Sequence, residues 1–433
     1  MPQTSDVSAR SIFRLAFPAL GVLSATPLYL LLDTAVVGQL GAAQQAALGA
    51  AASIQSVVTT QLTFLSYGTT ARAARHYGAG RRDAAVAEGV QATWVAVGVG
   101  AVLAALIWLF GGPIARALSG DAATGDLAAS WLHISALAIP MTLIVMAGNG
   151  WMRGLQDTTR PFYFTLAGMI PGAICVPIFV HLWGLRGSAI ANVVGMTIVA
   201  LCFLMKLRRE HTGSWAVKPR VIVKQLVLGR DLILRSLSFQ VAFLSALAVA
   251  ARFGTLALAA HQILLQLWNF LTLILDSLAI AAQSLIGAAL GAGSKKHARV
   301  AGQKIMVYST VFSVVLAAVL GLGSGLIPRL FTPDSGVLEV ISGPWWLMVA
   351  MVVLGGVLFA FDGVLLGAGD AAYLRTITIG SVLFGFLPGV WIAYAVDGGL
   401  FGVWCGLFAF IALRTIAVVV RFRSMKWAKT EAE

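Results

Sequence analysis

The sequence predicts an all-α polytopic membrane protein of about twelve transmembrane helices in two six-helix lobes. Three observations predict it. Apolar residues make up 59% of the 433-residue chain and charged residues 11%, against roughly 25% charged in a soluble domain. Stretches such as 89–115 and 306–328 contain no Asp, Glu, Lys or Arg. Each exceeds the roughly 20 apolar residues that carry a helix across a bilayer core of about 30 Å. The two halves of the chain also match at one constant offset of 213 residues.

The apolar runs are continuous rather than alternating, which selects helices over a membrane barrel. Spans are placed near 11–38, 48–71, 89–110, 128–152, 161–183, 187–207, 232–252, 256–286, 303–326, 341–366, 372–396 and 400–421. The first is long and lacks an A-x-A cleavage site, so it is expected to be retained. Its Pro18 and Pro27 each remove a helix hydrogen bond and favour a kink. The second and eighth spans are expected to run on past the membrane.

After the fourth span, Arg153 to Pro161 reads as a cytoplasmic turn, with Asp157 to Thr159 capping the next helix and Pro161 in its first turn. After the sixth, a polar stretch carries Lys218, Arg220 and Lys224 among Trp215, Val217, Val221 and Val223. It reads as a linker along the membrane surface. The expected division is an N-lobe at 1–210, a linker at 211–230 and a C-lobe at 231–433.

The 213-residue register pairs Gly41 with Gly254, Gly78 with Gly291, Gly80 with Gly293, Arg116 with Arg329, Asp121 with Asp334, Gly154 with Gly367 and Asp157 with Asp370. Each half holds an even number of spans, so the repeats are parallel. Such repeats place a substrate path between halves that alternate its access. Transport is therefore the expected activity.

The net charge of +13 does not mark a nucleic-acid binder. With the N-terminus in the cytoplasm, four of the 30 Lys and Arg fall outside, namely Arg116, Arg186, Arg252 and Arg329, and the other 26 fall inside. That is the positive-inside bias, and it puts both termini in the cytoplasm. Cys175, Cys202 and Cys405 all lie in spans without metal-ligand spacing or a disulfide framework. No Walker A, nucleotide-binding glycine loop or HExxH motif is present, so no enzyme activity, resident cofactor or metal is expected.

Three acids stand inside spans: Asp33 in the first, Asp276 in the eighth and Asp362 in the tenth. A carboxylate at a helix centre costs about 2.5–3.5 kcal/mol on insertion scales. An acid that gains and loses a proton as a cavity alternates is what a proton-coupled antiporter requires. At the repeat offset these acids meet Ala246, Thr63 and Asn149, so they lie outside the duplicated scaffold. The charges read within the membrane are acidic, which disfavours a lipid-linked precursor flippase, since that would need basic residues to meet phosphates. A non-transporting scaffold would have no use for them. Asn149, Asn192, Gln55, Gln61, Gln240 and Asn269 are candidate substrate contacts, with Gln266 and Gln283 as further neutral polar residues. Interhelical hydrogen bonding is the alternative role for each. Trp268, Trp345 and Trp346 suit aromatic or cationic ligands or interface anchoring, and His133, His181 and His261 suit proton relay or spacing.

Asp33-Thr34-Ala35-Val36-Val37-Gly38, Arg153-Gly154-Leu155-Gln156-Asp157-Thr158 and Asp362-Gly363-Val364-Leu365-Leu366-Gly367-Ala368-Gly369-Asp370 resemble the multidrug and toxic compound extrusion (MATE) family, in its DinF-like branch. The resemblance covers essentially the whole chain. It implies a V-shaped pair of six-helix lobes and a cation-coupled antiporter of drugs or metabolites. Amphipathic or cationic substrates, a monomer and a bacterial inner membrane are the accompanying expectations. It makes Asp33 the protonation site, matches Asn149 and Asn192 to the N-lobe polar cluster, and matches Asp362 to the acid of sodium-coupled relatives. The fifth span departs from the family pattern: Pro171 to Pro177 holds neither the Asn nor the acid of many relatives. Asp33 is then left with neutral partners, and a proton is expected ahead of sodium as the coupling ion.

Overall fold

The computed structural model describes residues 7–430. In chain order its helices are α1 (Ala9–Gly38), α2 (Ala42–Gln61), α3 (Phe64–Gly78), α4 (Arg82–Ser119), α5 (Ala122–Ser135), α6 (Ala138–Gly154), α7 (Thr159–Trp183), α8 (Leu185–Glu210), α9 (Pro219–Arg252), α10 (Thr255–Gly291), α11 (Lys295–Leu322), α12 (Ile327–Phe331), α13 (Ser335–Gly367), α14 (Ala371–Ser381), α15 (Leu387–Ala395) and α16 (Gly399–Ser424). A π-helical turn, Val382–Phe386, joins α14 to α15. Among the described residues no strand forms. The chain is an all-α polytopic membrane protein.

Among the described residues ten spans are long and apolar enough to cross a membrane, and α5 with α6, bent by 49°, makes an eleventh if counted as one. The bend has a local cause. Pro140 has no amide hydrogen, so the Ala136 carbonyl cannot be capped four residues on and instead accepts from Ile139 at 3.1 Å. The expected second span is α2 and α3, interrupted at Leu62 and Thr63. It is the least apolar of the twelve because Gln55, Ser56, Thr59, Thr60, Gln61 and Thr63 crowd its middle. Hydroxyls of Ser53, Thr59 and Thr63 bond back to carbonyls one turn earlier, which loosens a helix locally. Pro18 and Pro27 are both accommodated inside a single helix, α1.

The linker expected over 211–230 is shorter as irregular chain. Residues 211–218 are non-helical, and α9 starts at Pro219, a residue suited to the first helical position. Two compact units result. One spans Phe17–Gly229; the other runs from Arg230 onward and includes the start of α1 up to Ala16.

Within the first unit, α7 and α8 approach closely through Gly168 and Gly195, where a methyl on Gly168 would overlap the Gly195 carbonyl oxygen. A core of Val86, Val90, Trp151, Val199, Phe203 and Leu207 fills the space between α4, α6 and α8. Within the second unit, α13 lies between α10, α11 and α16, and Trp345, Trp404, Phe386 and Phe410 are fully buried.

The repeat register is realised residue by residue. Asp121 and Asp334 each cap the following helix, accepting from the amides of Ala123 and Thr124 and of Gly336 and Val337. Gly41 and Gly254 both sit at positive φ (126° and 106°) ahead of equivalent helices, as do Gly80 and Gly293 (75° and 78°). Gly150 and Gly154 meet α3 as Gly363 and Gly367 meet α10, at spacings where added methyls would clash with the neighbouring backbone.

The halves differ in continuity. The helices built from equivalent residues are split into α2 and α3, and into α5 and α6, in the first unit. In the second they are the unbroken α10 and α13.

Candidate functional site

The first unit holds a buried polar chain donated by three helices. Asp33 lies near the end of α1 and is 2% exposed. The hydroxyl of Ser188, at the start of α8, donates to Asp33 Oδ2 at 2.7 Å. The indole Nε1 of Trp131 on α5 donates to the Ser188 oxygen at 3.1 Å. Ser188 accepts from Trp131 through one of its two lone pairs and gives its one proton to the carboxylate. Asp33 Oδ1 has no partner, nor does the buried hydroxyl of Tyr29 one turn earlier on the same helix. No ion pair to Asp33 forms among the described residues. The acid therefore has one fixed hydrogen bond and one open oxygen, and no basic group holds it in the ionised state.

Closer to the start of α1, the same unit holds a partly open cavity of about 190 Å³. Thr26, Ser66, Asn149, Arg153, Met169 and Met196 contribute to its lining. Thr63, at the α2–α3 break, also lines it, as irregular backbone at membrane depth does where it borders a cavity. Asn149 spends its amide on the Val145 carbonyl at 3.0 Å, and its own carbonyl oxygen is unpartnered. Arg153 corrects the sequence reading. Read as the start of a cytoplasmic turn, it instead lies in the last turn of α6, 5% exposed, with Nη1 donating to Ser66 Oγ at 3.1 Å. Capping of α7 falls to Asp157, which accepts from the Arg160 amide at 3.1 Å, while Thr158 makes no side-chain cap.

Asp362 lies in a different environment. It is buried in α13, and its Oδ2 accepts from Arg235 Nη2 of α9 at 2.5 Å and from Arg414 Nη2 of α16 at 2.7 Å. The expectation that charges within the membrane are acidic is thereby overturned. Arg235 and Arg414 lie inside spans, and Arg414 is 3% exposed. They had been counted with the basic residues of one side of the membrane, although their positions fall within helices long enough to bury them.

The other candidates scatter. Asp276 is half-buried on α10, at the position equivalent to the α2–α3 break. Gln55 accepts a hydrogen bond from the Ser135 hydroxyl. Asn192, Gln61 and Gln240 are half-buried, and Asn269 is exposed, with its carbonyl accepting from Thr272. Only Asn149 of these lines the cavity. His261 is fully buried and accepts from Trp404 Nε1 at 3.1 Å, which makes it a packing element between α10 and α16. Trp345 is buried, with its indole donating to the Leu320 carbonyl, while Trp346 is exposed. Ser188, Trp131 and Arg153 are the site residues that sequence reasoning missed.

The family model described as MatE matches residues 18–178 and 232–391. The protein DETOXIFICATION 44, chloroplastic, of Arabidopsis thaliana is 30% identical over 94% of this chain and 80% of its own length. DNA damage-inducible protein F of Escherichia coli K12 is 26% identical over 96% of this chain and 92% of its own. The structure of the Vibrio cholerae MATE transporter VcmN in the bent form superposes with a TM-score of 0.89 at 20% identity, covering 98% of both chains.

Proposed function

Since the chain belongs to the MatE family, whose members are multidrug efflux transporters rather than enzymes, we propose that it is a proton-coupled antiporter with Asp33 as its coupling acid. One observation carries this: Asp33 is buried, is held by a single hydroxyl at 2.7 Å, and keeps a second oxygen unpartnered. In the ionised form the carboxylate keeps the Ser188 hydrogen bond. In the protonated form it is neutral and loses the cost of a buried charge. Either state is tolerated, and the exchange between them is the event that alternating access would use.

The nearby cavity, with Thr26, Asn149, Arg153 and two methionines, supports a small organic substrate. Soft methionines suit variable shapes. The compounds exported are proposed to be amphipathic or cationic. Asp362, the acid that resemblance offers for sodium, is already neutralised by Arg235 and Arg414, which favours protons over sodium. The basic-residue bias supports both termini on the cytoplasmic side, and similarity to the Escherichia coli relative supports a bacterial membrane.

The test is export from proteoliposomes under an imposed pH gradient or an imposed sodium gradient. Export driven by the pH gradient alone is expected. Export driven only by sodium would refute proton coupling.

A further inference from the structure

We propose that a pocket between α12 and α13 binds the phosphate of a phospholipid head group where the second unit meets the membrane surface. The repeat register exposes it. In the first unit Arg116 donates from Nε to Asp126 at 2.7 Å. The counterparts of this pair at the 213-residue offset are Arg329 and Glu339. Among the described residues neither side chain forms an ion pair or a hydrogen bond. Asp334, the acid nearest Arg329 in sequence, is spent on the N-cap of α13. Where the first unit closes an ion pair, the second opens a pocket of about 250 Å³ lined by Arg329.

Ser324 and Ser342 share the polar side of this pocket with Arg329, and Trp345 and Trp346 give it an apolar wall. The Ser342 hydroxyl donates to the Glu339 carbonyl at 2.6 Å, and the Trp345 indole to the Leu320 carbonyl at 3.0 Å. The Ser324 hydroxyl makes no hydrogen bond among the described residues. A guanidinium and a hydroxyl thus offer unspent donors to an oxyanion. A phosphodiester brings a single negative charge, which matches the single unpaired guanidinium.

The surroundings select a lipid over a free ion. Leu322 at the end of α11 is 91% exposed and Leu330 on α12 is 74% exposed, and Leu326 and Trp346 are exposed beside them. The apolar span α11 ends at Leu322, so this turn falls where a helix leaves the hydrocarbon. Exposed leucines, a Trp and an Arg form the composition of a membrane interface, where the arginine stem lies on apolar surface and its head group reaches the phosphates. The pocket is smaller than the roughly 300–1,000 Å³ that encloses a drug-sized ligand. A head group enters it, and the acyl chains stay outside along the leucines. The site is independent of the Asp33 coupling reading, because it is tested by binding without any gradient.

The experiment is amide hydrogen exchange, read by mass spectrometry over residues 323–331, for the purified full-length protein in uncharged detergent micelles. Adding dioleoylphosphatidylglycerol should slow exchange there saturably. Dioleoylglycerol, which lacks the phosphate, and sodium phosphate, which lacks the chains, should not. Arg329→Gln should raise the half-saturating lipid concentration on the order of tenfold. Arg329→Lys, which keeps a point charge for the phosphate, should restore most of the affinity. Four results would overturn the proposal: no protection by dioleoylphosphatidylglycerol, equal protection by dioleoylglycerol, as an apolar face alone would give, equal protection by sodium phosphate, or a lipid response unchanged in Arg329→Gln.

Discussion

Ser188 serves two buried partners at once, the Asp33 carboxylate and the Trp131 indole. Ser188→Ala strands both, and a buried polar group left without its partner costs about 1–3 kcal/mol. The variant should unfold at lower temperature and export less under a fixed pH gradient, while Ser188→Thr, which keeps the hydroxyl, should retain both. Calorimetry together with vesicle transport checks this. Asp33 was legible in the sequence because an acid amid Leu30, Leu31 and Leu32 is anomalous in a span. Ser188 was not, because serine is ordinary in transmembrane helices and nothing local shows which acid it meets 155 residues away. Arg235, Arg414 and Arg153 were hidden for another reason. Arg153 closes α6, where a long side chain reads as solvent-facing, whereas Arg235 and Arg414 fall within α9 and α16, and only the packed structure shows their head groups meeting Asp362.

At the scale of elements, the glycine pairs set how closely helices approach. Gly363 faces Ala279 of α10, and Gly367 faces Gln283 one turn on. Gly363→Val has no room and should prevent stable folding. Gly363→Ala should cost roughly 1–3 kcal/mol by overpacking, read as a fall in Tm. The N-caps are a gentler test. Asp334→Ala removes acceptors for the Gly336 and Val337 amides and should cost about 0.5–2 kcal/mol. Its counterpart Asp121 is held below the ordinary Asp range by hydrogen bonds, chiefly from the Thr124 amide. Its ionised cap is therefore present at neutral pH, and its contribution is lost only as the pH falls through that lowered value. The caps and glycines were readable as a repeat because they recur at a fixed offset. The broken helices were not, since Thr63 and Pro140 interrupt hydrogen bonding in ways that hydropathy alone does not register.

For the molecule as a whole, duplication supplies the frame and its departures supply the chemistry. Asp33 corresponds to the buried alanine at 246, so the acid proposed to couple transport has no counterpart in the second unit. The second unit carries the Arg–Asp–Arg cluster. Asp362→Asn should accordingly leave export responsive to a pH gradient, whereas Asp33→Asn should not. The decisive measurement is pH-gradient-driven export by Asp33→Asn in proteoliposomes over roughly pH 6–8, with folding verified by an unchanged thermal transition. The account predicts that export stops responding to the gradient in this variant. Export equal to that of wild type throughout the range would contradict it.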